Sequence, residues 1–218
     1  SVAGVAVKSF VWRGPMTSSL LQKTYDSVAY PSFAHPNSHP DRLATVAKLF
    51  GMNPAPVEDC RVLELGCASG GNLIPMAACL PESHFVGVDF SSRQIASGQE
   101  TAAALGLGNI RLVTQDFREI PSDFGAFDYI IAHGIYSWVS SEVQSKILAL
   151  CKQCLAPNGV AIVSYGTYPG HHARRAIREM MQYHSSRISD PNERATQAKA
   201  LVSFLNDSTR DSNQGYAT

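Results

Sequence analysis

Val62-Leu-Glu-Leu-Gly-Cys-Ala-Ser-Gly-Gly71 is the stretch that decides the fold. A short buried strand (61–65) runs into a glycine-rich turn, and a helical stretch over 72–80 follows. The same alternation repeats downstream. A strand over 84–88 precedes a helix over 91–105, opened by the capping box of Ser91 with Gln94. Strands follow at 110–114 and 127–132, then a helix over 139–155. The turn Ala156-Pro-Asn-Gly159 leads into a strand reaching Tyr165. Helices are expected over 171–184 and near 193–205. Strands separated by helices form βαβ units, and right-handed crossovers wind them into a Rossmann-like, doubly wound, mostly parallel sheet. The predicted architecture is a three-layer α/β/α sandwich of five strands.

Upstream, 41–50 reads as a helix. Leu43, Val46, Ala47 and Phe50 share a face, Asp41 stands at its start and Gly51 closes it. The segment 25–40, rich in Pro, Ser, Asn and His, reads as an ordered loop or lid. An N-terminal helical cap (16–60) is therefore expected over a core at 61–218. Residues 1–15, ahead of Met16-Thr17-Ser18-Ser19, read as an expression leader.

Composition narrows the function classes. The 218 residues are 44% hydrophobic and 17% charged, with 18 basic and 18 acidic side chains and a formal net charge of zero. Such a chain has no global field to gather nucleic acid or an anionic membrane. The densest basic cluster, Arg174, Arg175 and Arg178, reads as the solvated face of a helix. No apolar run is long enough to span a bilayer and no signal peptide is evident, so a cytoplasmic protein without membrane or nucleic-acid partner is expected. Five cysteines without framework spacing point to reduced thiols. Cys151 and Cys154 fall in an apolar helical pattern and read as core thiols rather than half of a zinc site, and no metal is expected. His171 and His172 begin a helix and read as capping or covering it.

In an open α/β sheet, ligands bind beyond the C-terminal ends of the strands. A dinucleotide fingerprint would need glycine at the middle position of the turn, where the pyrophosphate approaches; Ala68 stands there. S-adenosylmethionine (SAM) has no pyrophosphate and tolerates alanine. Glu64, at the end of the first strand, is placed to organise the turn and face a ligand's ammonium group. Asp89 ends the second strand, where a carboxylate accepts both hydroxyls of a ribose through charge-assisted bonds of about 1.5–3 kcal/mol each. After the third strand, Asp116 suits the exocyclic amine of adenine and Phe117 its ring face. The plainer reading of that pair is a helix cap beside a core aromatic. After the fourth strand, Ala132-His-Gly-Ile-Tyr-Ser-Trp138 brings His133, Tyr136 and Trp138 toward an acceptor pocket. As structural residues, the two aromatics would pack and His133 would be a satisfied histidine.

These motifs resemble class I SAM-dependent methyltransferases. Tyr25-Asp-Ser-Val-Ala-Tyr-Pro-Ser32, His39-Pro-Asp-Arg-Leu43, Gly71-Asn-Leu-Ile-Pro-Met76, His133-Gly-Ile-Tyr-Ser-Trp-Val139 and Ser164-Tyr-Gly-Thr-Tyr-Pro-Gly170 resemble one bacterial branch. That branch carries a methyltransferase regulatory domain and includes lysine methyltransferases acting on outer-membrane proteins. The resemblance covers about 20–207. It implies that Gly66, Cys67, Ala68 and Gly70 line the methionine part of SAM, Asp89 and Phe90 the ribose and adenine, Asp116 and Phe117 the adenine, and His133 the end of strand four. Segment 25–42 would cover the cofactor. Glu64, Asn72 and Gln94 complete the candidate cofactor set, and His133 and Tyr136 are the candidate catalytic residues. S-adenosylhomocysteine (SAH) is the implied product.

Family members continue past this chain, through a closing antiparallel hairpin and a C-terminal region. The sheet is therefore expected to be incomplete, leaving an edge beside strand five on which a homodimer could form. The expected activity is methyl transfer to an N or O nucleophile, a protein lysine being one acceptor. The alternatives are a small-metabolite methyltransferase and a regulatory module that holds SAM or SAH without catalysis. A nicotinamide enzyme is disfavoured by Ala68 and by the Asp116–Phe117 pair.

Overall fold

The structure, a computed structural model, describes residues 32–121 and 123–209. The expected leader, the stretch at Met16 and the start of the lid lie outside the described residues. A short 3₁₀ turn (Pro36–Ser38) leads into α1 (Pro40–Leu49). Strands and helices then alternate as β1 (Arg61–Leu65), α2 (Leu73–Cys79), β2 (His84–Asp89), α3 (Ser92–Ala104), β3 (Ile110–Thr114), β4 (Phe127–Ala132), α4 (Ser141–Cys154), β5 (Leu155–Val163), α5 (His171–His184) and α6 (Pro191–Thr209). The five strands form one parallel sheet in the order β3-β2-β1-β4-β5. The chain therefore winds outward from β1 through β2 to β3, then crosses back to lay β4 on the other side of β1. The ligand crevice of such a sheet opens at that reversal, between the ends of β1 and β4.

Side chains of successive strand residues leave opposite faces, and the two cores follow this period of two. Val62, Phe85, Leu112, Tyr129 and Ile131 pack on one face with Leu73, Met76 and Ile95 of α2 and α3, and with Leu43 and Ala44 of α1. Leu63, Leu65, Val88, Ile130 and Ala132 pack on the other with Ile147, Leu150, Cys151 and Cys154 of α4. The two cysteines are thus core thiols, as their spacing predicts.

The structure corrects three sequence expectations. On α1 the buried positions are Pro40, Leu43, Ala44 and Ala47, while Val46 and Phe50 are exposed. The core-facing row of the helix runs through 40, 43, 44 and 47, and Val46 and Phe50 fall outside it. Its N-cap is His39, whose Nδ1 accepts from the Asp41 N–H at 3.2 Å. Finally, β5 begins early, at Leu155 opposite Phe127, and takes the turn 156–159 inside a register shift, with Asn158 at φ 62°. It ends at Val163, so Ser164 and Tyr165 belong to the loop that follows.

Candidate functional site

The glycine-rich turn is shaped by its backbone. Gly66 and Gly70 take φ of +79° and +74°, and Ala68, between them, takes +49°. The left-handed region suits glycine and costs an alanine about 1 kcal/mol or more. A Cβ on Gly66 would stand 2.4 Å from Ile135 Cγ2, so only glycine lets the loop after β4 rest on the turn after β1. The turn is tied to β2 through Val88 O, which accepts from Gly66 N at 2.8 Å and Cys67 N at 3.2 Å. Asp89 completes the tie. One carboxylate oxygen accepts from Ala68 N and the other from Ser91 N, both at 2.9 Å. Asp89 therefore sets the spacing of the first two loops. Half-buried Phe90 and buried Gln94, whose N–H donates to Ser91 Oγ, follow it at the start of α3.

Cys67 is placed differently from its neighbours in the candidate set. Its side chain is buried beneath the turn, close against Gly87. Burial pushes its thiol well above the ordinary range.

Glu64 points from β1 to the face that carries α2, and it is 3% exposed. Its Oε1 accepts from Asn72 Nδ2 at 2.8 Å, while Oε2 is buried with no hydrogen-bond partner among the described residues. Burial is the main reason its pKa rises to about 7, partly offset by the Asn72 bond and reinforced by the Asp89 charge. Asn72 does more than support this carboxylate. Its Nδ2 also donates to Ser38 Oγ at 3.0 Å, and its Oδ1 accepts from the His35 N–H at 2.8 Å. Beside it, Gly71 N donates to Ser32 Oγ at 2.8 Å. The segment 32–38 is thereby fastened to the first turn of α2, directly over the Glu64 carboxylate.

After β3, Asp116 and Phe117 both have partners within the protein. Asp116 caps the 3₁₀ turn Phe117–Glu119, accepting from Arg118 N at 2.9 Å, and it forms an ion pair with the Arg118 guanidinium. Arg118 holds the Asp116 carboxyl below its usual range. Phe117 packs at the margin of the second core.

Across the crevice, the His133 ring lies 4.2 Å from that of His35, centroid to centroid. Burial, then the nearby His35, lowers its pKa, which favours the neutral imidazole. Tyr136 opens a 3₁₀ turn (Tyr136–Trp138), its ring 5.9 Å from that of Tyr165. The loops after β4 and β5 are joined by Gly134 N donating to Ser164 Oγ and Gly166 N donating to Ser137 Oγ, each at 2.8 Å. His171 and His172 stand at the start of α5 with their rings against Trp138 and Tyr168. Trp138, Tyr165 and Tyr168 remain 44%, 63% and 57% exposed, so this side of the crevice is open. Among the described residues no group of three or more His, Cys, Asp or Glu is arranged to hold a metal.

Sequence reasoning did not find His35, Ser38, Ile135 or the contact of Arg178 with Trp138. Asn72 stood in the candidate set, but its lid partners lie 34 and 37 residues away and carry no local signal.

Residues 62–159 match a family model described as a methyltransferase domain. The chain is 42% identical over 194 residues to the uncharacterized protein RP028 of Rickettsia prowazekii, covering 89% of this chain and 78% of that protein. It is 46% identical over 193 residues to RP789 of the same organism, but spans only 35% of that protein's length. It superposes on PKMT2 from Rickettsia typhi, solved with S-adenosylhomocysteine, at a TM-score of 0.70 and 42% identity, over 86% of this chain and 36% of that one. The chain belongs to the class I SAM-dependent methyltransferases.

Proposed function

We propose that this chain binds SAM at the ends of β1 and β2 and transfers its methyl group to the side-chain amine of a protein lysine. The buried Glu64 oxygen carries the cofactor half of this reading. A carboxylate held without a partner for one oxygen is stable only when a proton or a cation faces it. The ammonium of an amino-acid ligand is the cation that the glycine-rich turn beside it would admit. Asp89 fits the ribose hydroxyls, with Phe90 and Gln94 beside it. Phe117 fits the adenine face, and Asp116 would accept from its amine on releasing the Arg118 guanidinium, which engages both of its oxygens.

When bound, SAM supplies a sulfonium methyl that needs no electrophilic activation. The chain's own task is positioning and desolvation. A lysine amine must also lose its proton, which at pH 7 costs about 4.6 kcal/mol from a pKa near 10.4. Neutral His133 offers an imidazole nitrogen to an incoming amine, and the Tyr136 ring flanks the approach. The open aromatic side of the crevice suits a polypeptide better than an enclosed metabolite.

Calorimetric titration of the 218-residue chain with SAH tests the cofactor half. The expected result is micromolar binding that weakens at least 100-fold in Asp89→Ala, from two lost charge-assisted bonds. Circular dichroism would confirm that the variant is folded. Undiminished binding by Asp89→Ala would overturn the assignment.

A further inference from the structure

We propose that the surface formed by Trp138, the start of α5 and the stripe around Arg178 docks acidic residues that flank the methylated nucleophile of a polypeptide acceptor. The proposal deepens the methyltransferase reading and rests on it. His171, Arg175, Arg178, Glu179 and Gln182 recur at helical spacing and form one stripe of α5. Between this stripe and the loops carrying Ser137 and Tyr168 lies a cavity of about 320 Å³. Ser137 belongs to the same 3₁₀ turn as Tyr136, so the cavity adjoins the acceptor side of the crevice.

The charges in this cavity are unequal. Arg175 is already engaged, donating to Glu179 Oε1 at 2.9 Å and to the Tyr168 hydroxyl at 2.7 Å. Arg178 instead lies over the Trp138 ring, 4.8 Å from its centroid, a contact that fixes the guanidinium while leaving its donors for a carboxylate. The ion pairs found among the described residues are Arg118–Asp116 and Arg175–Glu179, so Arg174 and Arg178 have no acidic partner there. The N-terminal end of α5 adds its dipole to the same surface. On a chain of net charge zero, this is a local excess beside the acceptor route rather than a general basic coat.

Carboxylates fit this site better than a nucleic acid. A polyanion gains affinity from a track of several phosphate contacts, whereas this cavity presents one arginine, Arg178, without an acidic partner among the described residues. The cavity has room for one or two side chains.

The test uses two labelled 13-residue peptides with a central lysine, one flanked by Asp and Glu, the other by Asn and Gln. Fluorescence anisotropy would be read with the full chain in the presence of SAH. The acidic peptide is expected to bind at least tenfold tighter, to weaken as salt rises, and to lose that advantage in Arg178→Gln. Arg178→Glu should reverse the preference toward a lysine-flanked peptide. Equal affinity for the two peptides, no binding of either, an unchanged advantage in Arg178→Gln, or tighter binding of a single-stranded oligouridine would each overturn the proposal. SAH titration of the same proteins separates the two readings. Arg178 variants should keep wild-type SAH affinity, whereas absence of SAH binding in the unmodified chain counts against the cofactor site alone.

Discussion

The two sides of the crevice are built on opposite plans. On the side of β1, β2 and α2, polar groups are buried and joined. Glu64, Asn72, Ser38 and His35 form one hydrogen-bonded set, and Asp89 fastens the turn after β1 to the start of α3. On the side of β4, β5 and α5, rings and guanidinium groups lie at the surface, and no residue of α5 is buried. A fixed ligand such as a nucleoside cofactor is served by a site that is set before binding. A variable polypeptide is served by exposed aromatics and arginines. Under the proposed function, cofactor recognition falls to this buried set and acceptor recognition to the surface beside it.

The largest effect that distinguishes the two sides should come from Asn72→Ala. It removes three hydrogen bonds and leaves both Glu64 oxygens buried without a partner. Net losses of about 1 kcal/mol per bond, with 1–3 kcal/mol for the stranded group, amount to about 4–6 kcal/mol. In a chain of this size that lowers the melting temperature by about 8–24 °C. Hydrogen exchange should also quicken at His35 and Ser38. Trp138→Ala, on the other side, should cost under about 1 kcal/mol because its cation–π contact is exposed. Equal losses in a melting experiment would erase the distinction.

Glu64→Gln sharpens the same comparison through pH. The folded pKa of Glu64, about 7, lies above that of the unfolded chain. The folded state therefore holds this proton more tightly, and the associated stability is complete below about pH 4.5 and lost as pH rises through 7. The isosteric amide does not ionise and can still accept from Asn72. It should raise stability at pH 8 by up to about 3 kcal/mol, with the gain disappearing near pH 5. SAH binding should weaken in the same variant, since the charge proposed to face its ammonium is gone. A stability gain independent of pH would mean that Glu64 is ionised in the free protein throughout this range.

Most of this fold was legible in the chain because parallel strands buried on both faces and capped helices are written locally. The bounds of β1, β3, β4 and α5 agree with their apolar runs. The extent of β5 was not legible, because its early start depends on pairing of Leu155 with Phe127 across the sheet. Within the site, Glu64 and Asp89 were readable from their places at strand ends. The role of Asn72 was not, since its meaning lies in a segment folded back from more than thirty residues upstream. The Asp116–Phe117 motif supports either reading by sequence, and it is Arg118, two residues on, that draws the carboxylate into a cap.

The smallest expected effect is at Ala68, on the cofactor side. At φ +49° its side chain carries left-handed strain of about 1–2 kcal/mol, which glycine would relieve. Glycine also gives the unfolded chain more freedom, which takes back about 0.5–1 kcal/mol. Ala68→Gly should therefore stabilise the protein by under about 1 kcal/mol in denaturant titration while leaving the acceptor side unchanged. If the alanine also narrows the approach to the turn, SAH should bind the variant modestly tighter. A loss of stability would mean that the hydrogen bond from Ala68 N to Asp89 needs the stiffer residue, and that the turn is held by its backbone bonds more firmly than by the conformational preference of its residues.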